Sequence, residues 1–409
     1  MSIKIICLSG LYNNALNNQR ESGVNQSVSD LHSEAFGKDT IIFMREAVKM
    51  AKARLMNTPE DYQKLGVDPD RIEMWEDGIR ITPDRMNWEW WYFDTMLDGQ
   101  IQAVIQFFSK SGGNMYSRKY HPKFMIHVTM PDGTEYKQEP SFSLSEASWS
   151  KEKCDVRYGK HYFTGDFEDY EIHVEPVNGL GADLKLHSLS KPFRPGSAYI
   201  EFGAEGRNYT WLCVVPTGEV TGTLTINGKE QSVHGYGYHD HQWGNVNFLK
   251  EWNHWVWARQ SFEDCSMTVF DMVSNEKTEY TRFPFVFIQD REGNLLFENT
   301  QNVQCEVLDE YEDKASSKTY PKAIHYVFEN GGKRADYTLQ MKDIIECNGK
   351  NNLPAAKRFI TKAAGIDPAY TRYTAISSLI LSDGTKNMER SGELIYEFMY
   401  PGSSFKGHM

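Results

Sequence analysis

The run His234-Gly235-Tyr236-Gly237-Tyr238-His239-Asp240-His241-Gln242-Trp243-Gly244-Asn245 gathers more chemically capable side chains than any other stretch of the chain. Read as a strand, it places Tyr236, Tyr238 and Asp240 on one face and His239, His241 and Trp243 on the other. Gly235 and Gly237 withhold side chains from the second face, so another group can approach the backbone closely there. A carboxyl group set among aromatic side chains suits acid chemistry, because burial disfavours its charged form. His239 and His241, two residues apart, could hold a metal if a third ligand came from His254, His127 or Glu89. Histidines on strands serve more commonly as hydrogen-bonding residues, and no metal is assigned to them.

Three further segments concentrate aromatic rings. In Asn87-Trp88-Glu89-Trp90-Trp91-Tyr92-Phe93-Asp94, strand alternation puts Trp88, Trp90, Tyr92 and Asp94 on one face and Glu89, Trp91 and Phe93 on the other. Both faces are aromatic, so both are expected to be covered, and Glu89 then needs a partner such as Arg or Tyr. In Tyr209-Thr210-Trp211, the two rings point the same way, as core aromatics or as the lining of a pocket. Trp252, Trp255 and Trp257 follow Trp243 closely and form an aromatic wall, suited to a domain core or to a cavity for a large apolar or cationic group.

Other chemistries lack their signatures. There is no G-x-S-x-G elbow, Walker loop or G-x-G-x-x-G fingerprint. The chain has 409 residues, and its 44 Lys and Arg against 56 Asp and Glu give a formal net charge of −12. That balance disfavours nucleic acid and anionic lipid, both of which are bound mainly through Lys and Arg. No apolar run is long enough for a transmembrane helix. The cysteines, Cys7, Cys154, Cys213, Cys265, Cys305 and Cys347, are far apart and read as reduced, mostly buried thiols. A cytoplasmic location is expected.

The elements that position these residues read mostly as β. Turn dipeptides recur at Asp98-Gly99, Asp132-Gly133, Asn178-Gly179, Asn227-Gly228, Asn330-Gly331 and Asp383-Gly384. Between them, residues 100–108, 123–130, 183–189, 222–228, 283–289, 323–329 and 375–382 read as strands. Helices are expected over 40–56, where Ile41, Met44, Val48, Ala51 and Leu55 recur at helical spacing, and near 354–364. Hairpin spacing without βαβ alternation predicts antiparallel barrels or sandwiches. A change of domain is placed near 246–258, giving an N-terminal extension (1–75), a first domain (76–248) and a second (249–409).

Trp88-Glu89-Trp90-Trp91-Tyr92-Phe93 together with Gly237-Tyr238-His239-Asp240-His241-Gln242-Trp243-Gly244 resembles the carotenoid 1,2-hydratase (hydroxyneurosporene synthase) family. That family belongs to a lipocalin-like superfamily that also includes prenyl-side-chain hydratases of isoflavonoids and fungal Diels–Alderases. The resemblance implies two consecutive lipocalin-like β-barrel domains with a ligand cavity in or between them, acting without a cofactor on a hydrophobic isoprenoid or polyketide. Carried onto this sequence, the family's Tyr-x-Asp element falls on Tyr238 and Asp240, with Asp240 the proton donor. Its His-x-Trp element falls on Tyr209-Thr210-Trp211, so Trp is kept and Tyr stands in place of His. The catalytic set implied is Asp240, Tyr238, Trp211 and Tyr209. The substrate wall is assigned to Trp88, Glu89, Trp91, Tyr92, Tyr236, His239, His241, Trp243, Trp255 and Trp257. Protonation of a C=C bond by Asp240 would give a carbocation faced by aromatic rings, for hydration or cyclisation. A Diels–Alderase that mainly folds its substrate, or a carrier that only binds it, are the alternatives.

Overall fold

The computed structural model describes residues 52–401, apart from 84–85, 204–205, 356–357 and 359–366. Within them the chain forms two antiparallel sheets, one of thirteen strands and one of nine. The first sheet runs from Glu135–Gln138 through Lys123–Thr129, Ile101–Lys110, Trp88–Leu97, Lys229–Gly244, Asn208–Ile226, Leu180–Ser188, Asp169–Val177, His161–Gly165 and Asp155–Tyr158 to Ala147–Trp149. It is two meanders joined by one pairing, Trp88–Leu97 against Lys229–Gly244. That pairing sets Tyr92 opposite Asp240 and Trp91 opposite His241. The two richest segments of the sequence, far apart in the chain, thus become neighbouring strands.

The second sheet repeats this plan. Its meander from Trp252–Ser261 through Cys265–Ser274 and Arg282–Asp290 to Leu295–Asn299 joins the meander from Val303–Asp313 to Asn387–Tyr400. The joining pair is Trp252–Ser261 with Asn387–Tyr400. Both sheets are curled into half-barrels. The chain passes from one to the other through the short helix Phe248–Glu251.

Turn chemistry explains the hairpins. Asn227 and Gly228 have φ of 52° and 73°, the left-handed pair that a two-residue hairpin requires, and Asn178 and Gly179 repeat it at 50° and 79°. Every expected strand overlaps an observed one. The helix expected over 40–56 lies outside the described residues up to 51. Its end is not helical: Ala53–Leu55 is a strand paired with Tyr199–Phe202. There Arg54 bonds Asp61 at 2.7 Å and Glu201 at 3.1 Å, so pairing with distant residues overrides the local period. Of the helix expected over 354–364, only Pro354, Ala355 and Arg358 are described, and the Arg358 amide bonds the Pro354 carbonyl at 3.0 Å.

Three apolar cores follow from strand alternation. One fills the first half-barrel and includes Trp91, Phe93, Phe107 and Leu212. One fills the second and includes Tyr326, Tyr373 and Phe398. The third lies between the sheets, where Trp88, Trp90, Tyr92, Trp211 and Tyr238 of the first meet Trp252, Phe270, Phe285 and Met399 of the second. The Trp88–Leu97 strand therefore has both faces covered, as its aromatic alternation requires.

Gly235 and Gly237 are needed by the sheet itself. A Cβ on Gly237 would lie 2.7 Å from Val220 and 2.9 Å from the Asp94 carbonyl, so the close approach is made by neighbouring strands. Gly237→Ala is expected to lower the unfolding free energy by about 1–3 kcal/mol through overpacking, read from urea denaturation.

Candidate active site

Asp240 lies on the inter-sheet face of its strand and is 3% exposed. Its Oδ2 accepts from the Tyr238 hydroxyl at 2.8 Å, the Gln242 amide at 3.0 Å and the Trp211 indole N–H at 3.2 Å. Its Oδ1 is buried without a hydrogen-bond partner. Burial pushes the carboxyl group up to about 7, and the three donors on Oδ2 offset only part of that effect. A protonated Asp240 can place its hydrogen on Oδ1 and keep Oδ2 as the acceptor of all three bonds.

The neighbours hold this group from two sides. Tyr209 donates to Gln242 Oε1 at 2.7 Å, so Tyr209, Gln242 and Asp240 form one relay. Burial pushes the Tyr209 and Tyr238 hydroxyls well up, which keeps both as donors. Trp211 packs edge-on to Phe270 of the second sheet, with ring centroids 5.1 Å apart. The Arg259 guanidinium lies 4.7 Å from the Tyr238 ring centroid and bonds Asp94 at 2.5 Å. The Tyr92 hydroxyl donates to the other Asp94 oxygen at 3.0 Å.

A cavity of about 350 Å³ opens beside this cluster at one end of the inter-sheet core. Tyr92, Trp257 and Arg259 form its inner wall. Tyr238 packs behind Trp257, with ring centroids 5.4 Å apart, and Asp240 lies behind Tyr238.

The remaining expected residues divide by face. Tyr92 and Trp257 line the cavity, whereas Trp88, Glu89, Trp91, Tyr236, His239, His241, Trp243 and Trp255 do not. Trp88 stacks on Trp90 at 4.5 Å, and Trp255 sits in the inter-sheet core. Tyr236 shares the strand face of Asp240 but is 55% exposed, because the second sheet does not reach over it.

Glu89, His239 and His241 point into the first half-barrel. His239 contacts the Tyr92 carbonyl at 2.9 Å and Asp77 Oδ2 at 3.1 Å. His241 contacts the Glu76 carbonyl at 3.2 Å and Glu89 at 3.3 Å, and stacks on Trp91 at 4.6 Å. Each ring therefore has a polar neighbour at both nitrogens. Glu89 accepts from the Arg80 backbone amide and the Ser109 hydroxyl, both at 2.6 Å, rather than from an Arg or Tyr side chain. Of the expected third ligands, Glu89 meets His241, whereas the other two are engaged elsewhere: His127 lies 3.7 Å from Glu135, and His254 bonds Asn253 at 2.8 Å. The buried donors of Asp77, Cys154 and His239 do lie within 4.8 Å of one another, a set that could hold a metal ion. In the present arrangement Asp77 Oδ2 is occupied by His239 and by the Tyr170 hydroxyl at 2.8 Å.

Asp77, Gln242, Arg259 and Arg372 escape the sequence reading. Gln242 was within the motif and on the right face, so its amide was the one available signal; the others meet the site only through pairings across the sheets. Of the six cysteines, Cys154, Cys213 and Cys265 are buried free thiols and Cys305 and Cys347 are half-buried.

Residues 81–344 match the AttH-like family model. The chain belongs to the AttH-like family. No curated protein matches it. Among solved structures, CghA with bound Sch210972 aligns over 79% of this chain and 91% of its own, at 14% identity and a TM-score of 0.54. A putative AttH from Nitrosomonas europaea aligns over 78% of this chain and 93% of its own, at 13% identity and a TM-score of 0.50. Kievitone hydratase from Nectria haematococca aligns over 78% and 90%, at 14% identity and a TM-score of 0.46. The likeness to CghA and to the Nitrosomonas europaea protein shows a shared fold. Among the described residues no helix is long and apolar enough to cross a membrane.

The raised Asp240 carboxyl sets a stability signature. Its folded value lies above its unfolded one, so the native state holds an extra proton between pH about 4 and about 7 and loses stability as pH rises through that window. Asp240→Asn removes this contribution. Its unfolding free energy is expected to gain a few kcal/mol relative to wild type between pH about 4 and about 8, measured by urea denaturation at each pH.

Proposed function

We propose that the protein is a cofactor-independent hydratase or cyclase acting on a hydrophobic small molecule of isoprenoid type, held between the two sheets, with Asp240 as the acid. The observation that carries this reading is a carboxyl group pushed up to about 7 by burial, with one oxygen tied by three donors and the other unpartnered. Such an acid is protonated near neutral pH and has a hydrogen to give.

In the proposed reaction the proton on Oδ1 moves to one carbon of a C=C bond, and the positive charge forms on the other carbon. The faces of Tyr92, Trp211 and Trp257 stabilise that charge. Water then adds to the cation and returns a proton to the carboxylate, or a second C=C bond closes on the cation before the proton is lost. Meanwhile Tyr238, Gln242 and Trp211 hold the Asp240 carboxylate through Oδ2. The layer of Trp257, Arg259 and Tyr238 must part for a substrate in the cavity to meet Oδ1. We further propose that 76–248 and 249–409 are the two domains: the first sheet ends at Gly244 and the second begins at Trp252.

That intervening layer favours a second reading. In a pericyclic cyclase the cavity wall imposes a reactive conformation, and the carboxyl group need not touch the substrate. Incubation with prenylated and polyene substrates followed by mass spectrometry separates the readings. Gain of one water marks hydration, unchanged mass with altered retention marks cyclisation, and neither marks a carrier. For the acid mechanism, Asp240→Asn is expected to lower turnover about a hundredfold or more, and wild-type turnover to fall as pH rises through about 7. Full turnover in a folded Asp240→Asn protein contradicts Asp240 as the acid.

A further inference from the structure

The cavity beside Tyr92 contains two guanidinium groups in different states. Arg259 is closed by Asp94, as described above. Arg372, on the second-sheet strand Ala369–Ser382, reaches across to the first sheet and donates from Nη2 to Gln102 Oε1 at 3.1 Å. Its Nε has no hydrogen-bond partner. The nearest carboxylate oxygen to that Nε, on Glu397, is 3.9 Å away, and the Tyr370 hydroxyl donates to the same oxygen at 2.5 Å. The Arg372 side chain is only 18% exposed. A guanidinium carries five N–H donors, and a desolvated cation is costly unless an anion or several acceptors meet it. Arg372 has a hydrogen bond to a neutral amide, a loose ion pair with Glu397 and Glu346 opposite it on the neighbouring strand, while its Nε–H stays without an acceptor.

The other carboxylates of the lining have partners of their own. Asp94 is bound by Arg259 at 2.5 Å, and Glu393 by Lys342 at 2.6 Å. Leu394, Ile395, Val104 and Met96 supply an apolar lining alongside. One cavity thus offers a greasy wall and a guanidinium that keeps an unsatisfied donor.

We infer that Arg372 is a specificity-determining residue that binds a carboxylate at one end of the substrate, so that the natural substrate is an apolar acid. This rests on the proposed function in that the same cavity must be the substrate site. A carboxylate matches the planar fork of a guanidinium through two parallel hydrogen bonds, and each such charge-assisted bond is stronger than a neutral one. The Arg372 head, anchored by Gln102, fixes that end. The apolar body then extends along Leu394 and Val104 toward Trp257 and the Tyr238–Asp240 pair.

The test uses cis-parinaric acid and its methyl ester as fluorescent probes of the full-length protein. Wild type is expected to bind the acid about tenfold more tightly than the ester. Arg372→Gln is expected to weaken the acid about tenfold and leave the ester within about twofold, bringing the two affinities together. Arg372→Lys, which keeps the charge and loses the fork, is expected to fall between them and serves if the Gln variant does not fold. Equal binding of acid and ester by wild type, or a preference for acid that survives in a folded Arg372→Gln protein, overturns the carboxylate subsite and leaves the cavity in place. Binding of neither probe overturns the subsite and the inter-sheet cavity together.

Discussion

A single strand with both faces buried governs the chemistry of this protein. Over the buried half of Lys229–Gly244, from Tyr238 to Trp243, the side chains alternate between the interior of the first half-barrel and the seam between the sheets. His239 and His241 go one way, and Tyr238, Asp240 and Gln242 go the other. A register slip of one residue would exchange the two sets and bury the wrong charges on both sides. The pairing with Trp88–Leu97 prevents that slip, because it locks Trp91 onto His241 on one face and brings Tyr92 to Tyr238 on the other.

The two faces handle buried charge in opposite ways. Inside the half-barrel Asp77, Glu89 and two main-chain carbonyls surround the histidines, so each carboxylate has hydrogen-bonding neighbours. At the seam, Asp240 meets only neutral donors, all on one oxygen, in an apolar setting. Neutral donors cannot repay the loss of water around a full negative charge, so the seam favours the protonated acid. The Arg259 guanidinium on the other side of the Tyr238 ring is engaged by Asp94. The same aromatic density that raises the carboxyl group would also face a developing carbocation.

Much of this was legible in the sequence. Turn dipeptides fixed the hairpins, and alternation assigned each residue of 88–94 and 236–243 to its face. What local patterns could not supply was the extent and content of the opposing layer. Tyr236 shares a face with Asp240 yet lies beyond the second sheet, which alternation cannot reveal. Asp77, Arg259 and Arg372 reach the cluster or its cavity through contacts separated by many residues in the chain, and none stands in a motif. The period at 40–56 pointed to a helix, but Ala53–Leu55 is drawn into the first sheet by its pairing with Tyr199–Phe202. Nor could composition show that the aromatic excess serves three separate cores.

The central claim is that Asp240 is a neutral carboxylic acid near neutral pH. Infrared difference spectroscopy across a pH titration measures this directly, through the carbonyl stretch of a protonated carboxyl group. The predicted result is a band from a buried carboxylic acid that is lost with a midpoint near pH 7 and is missing in Asp240→Asn. A spectrum in which no such band distinguishes wild type from Asp240→Asn, so that Asp240 is ionised throughout the neutral range, would contradict it.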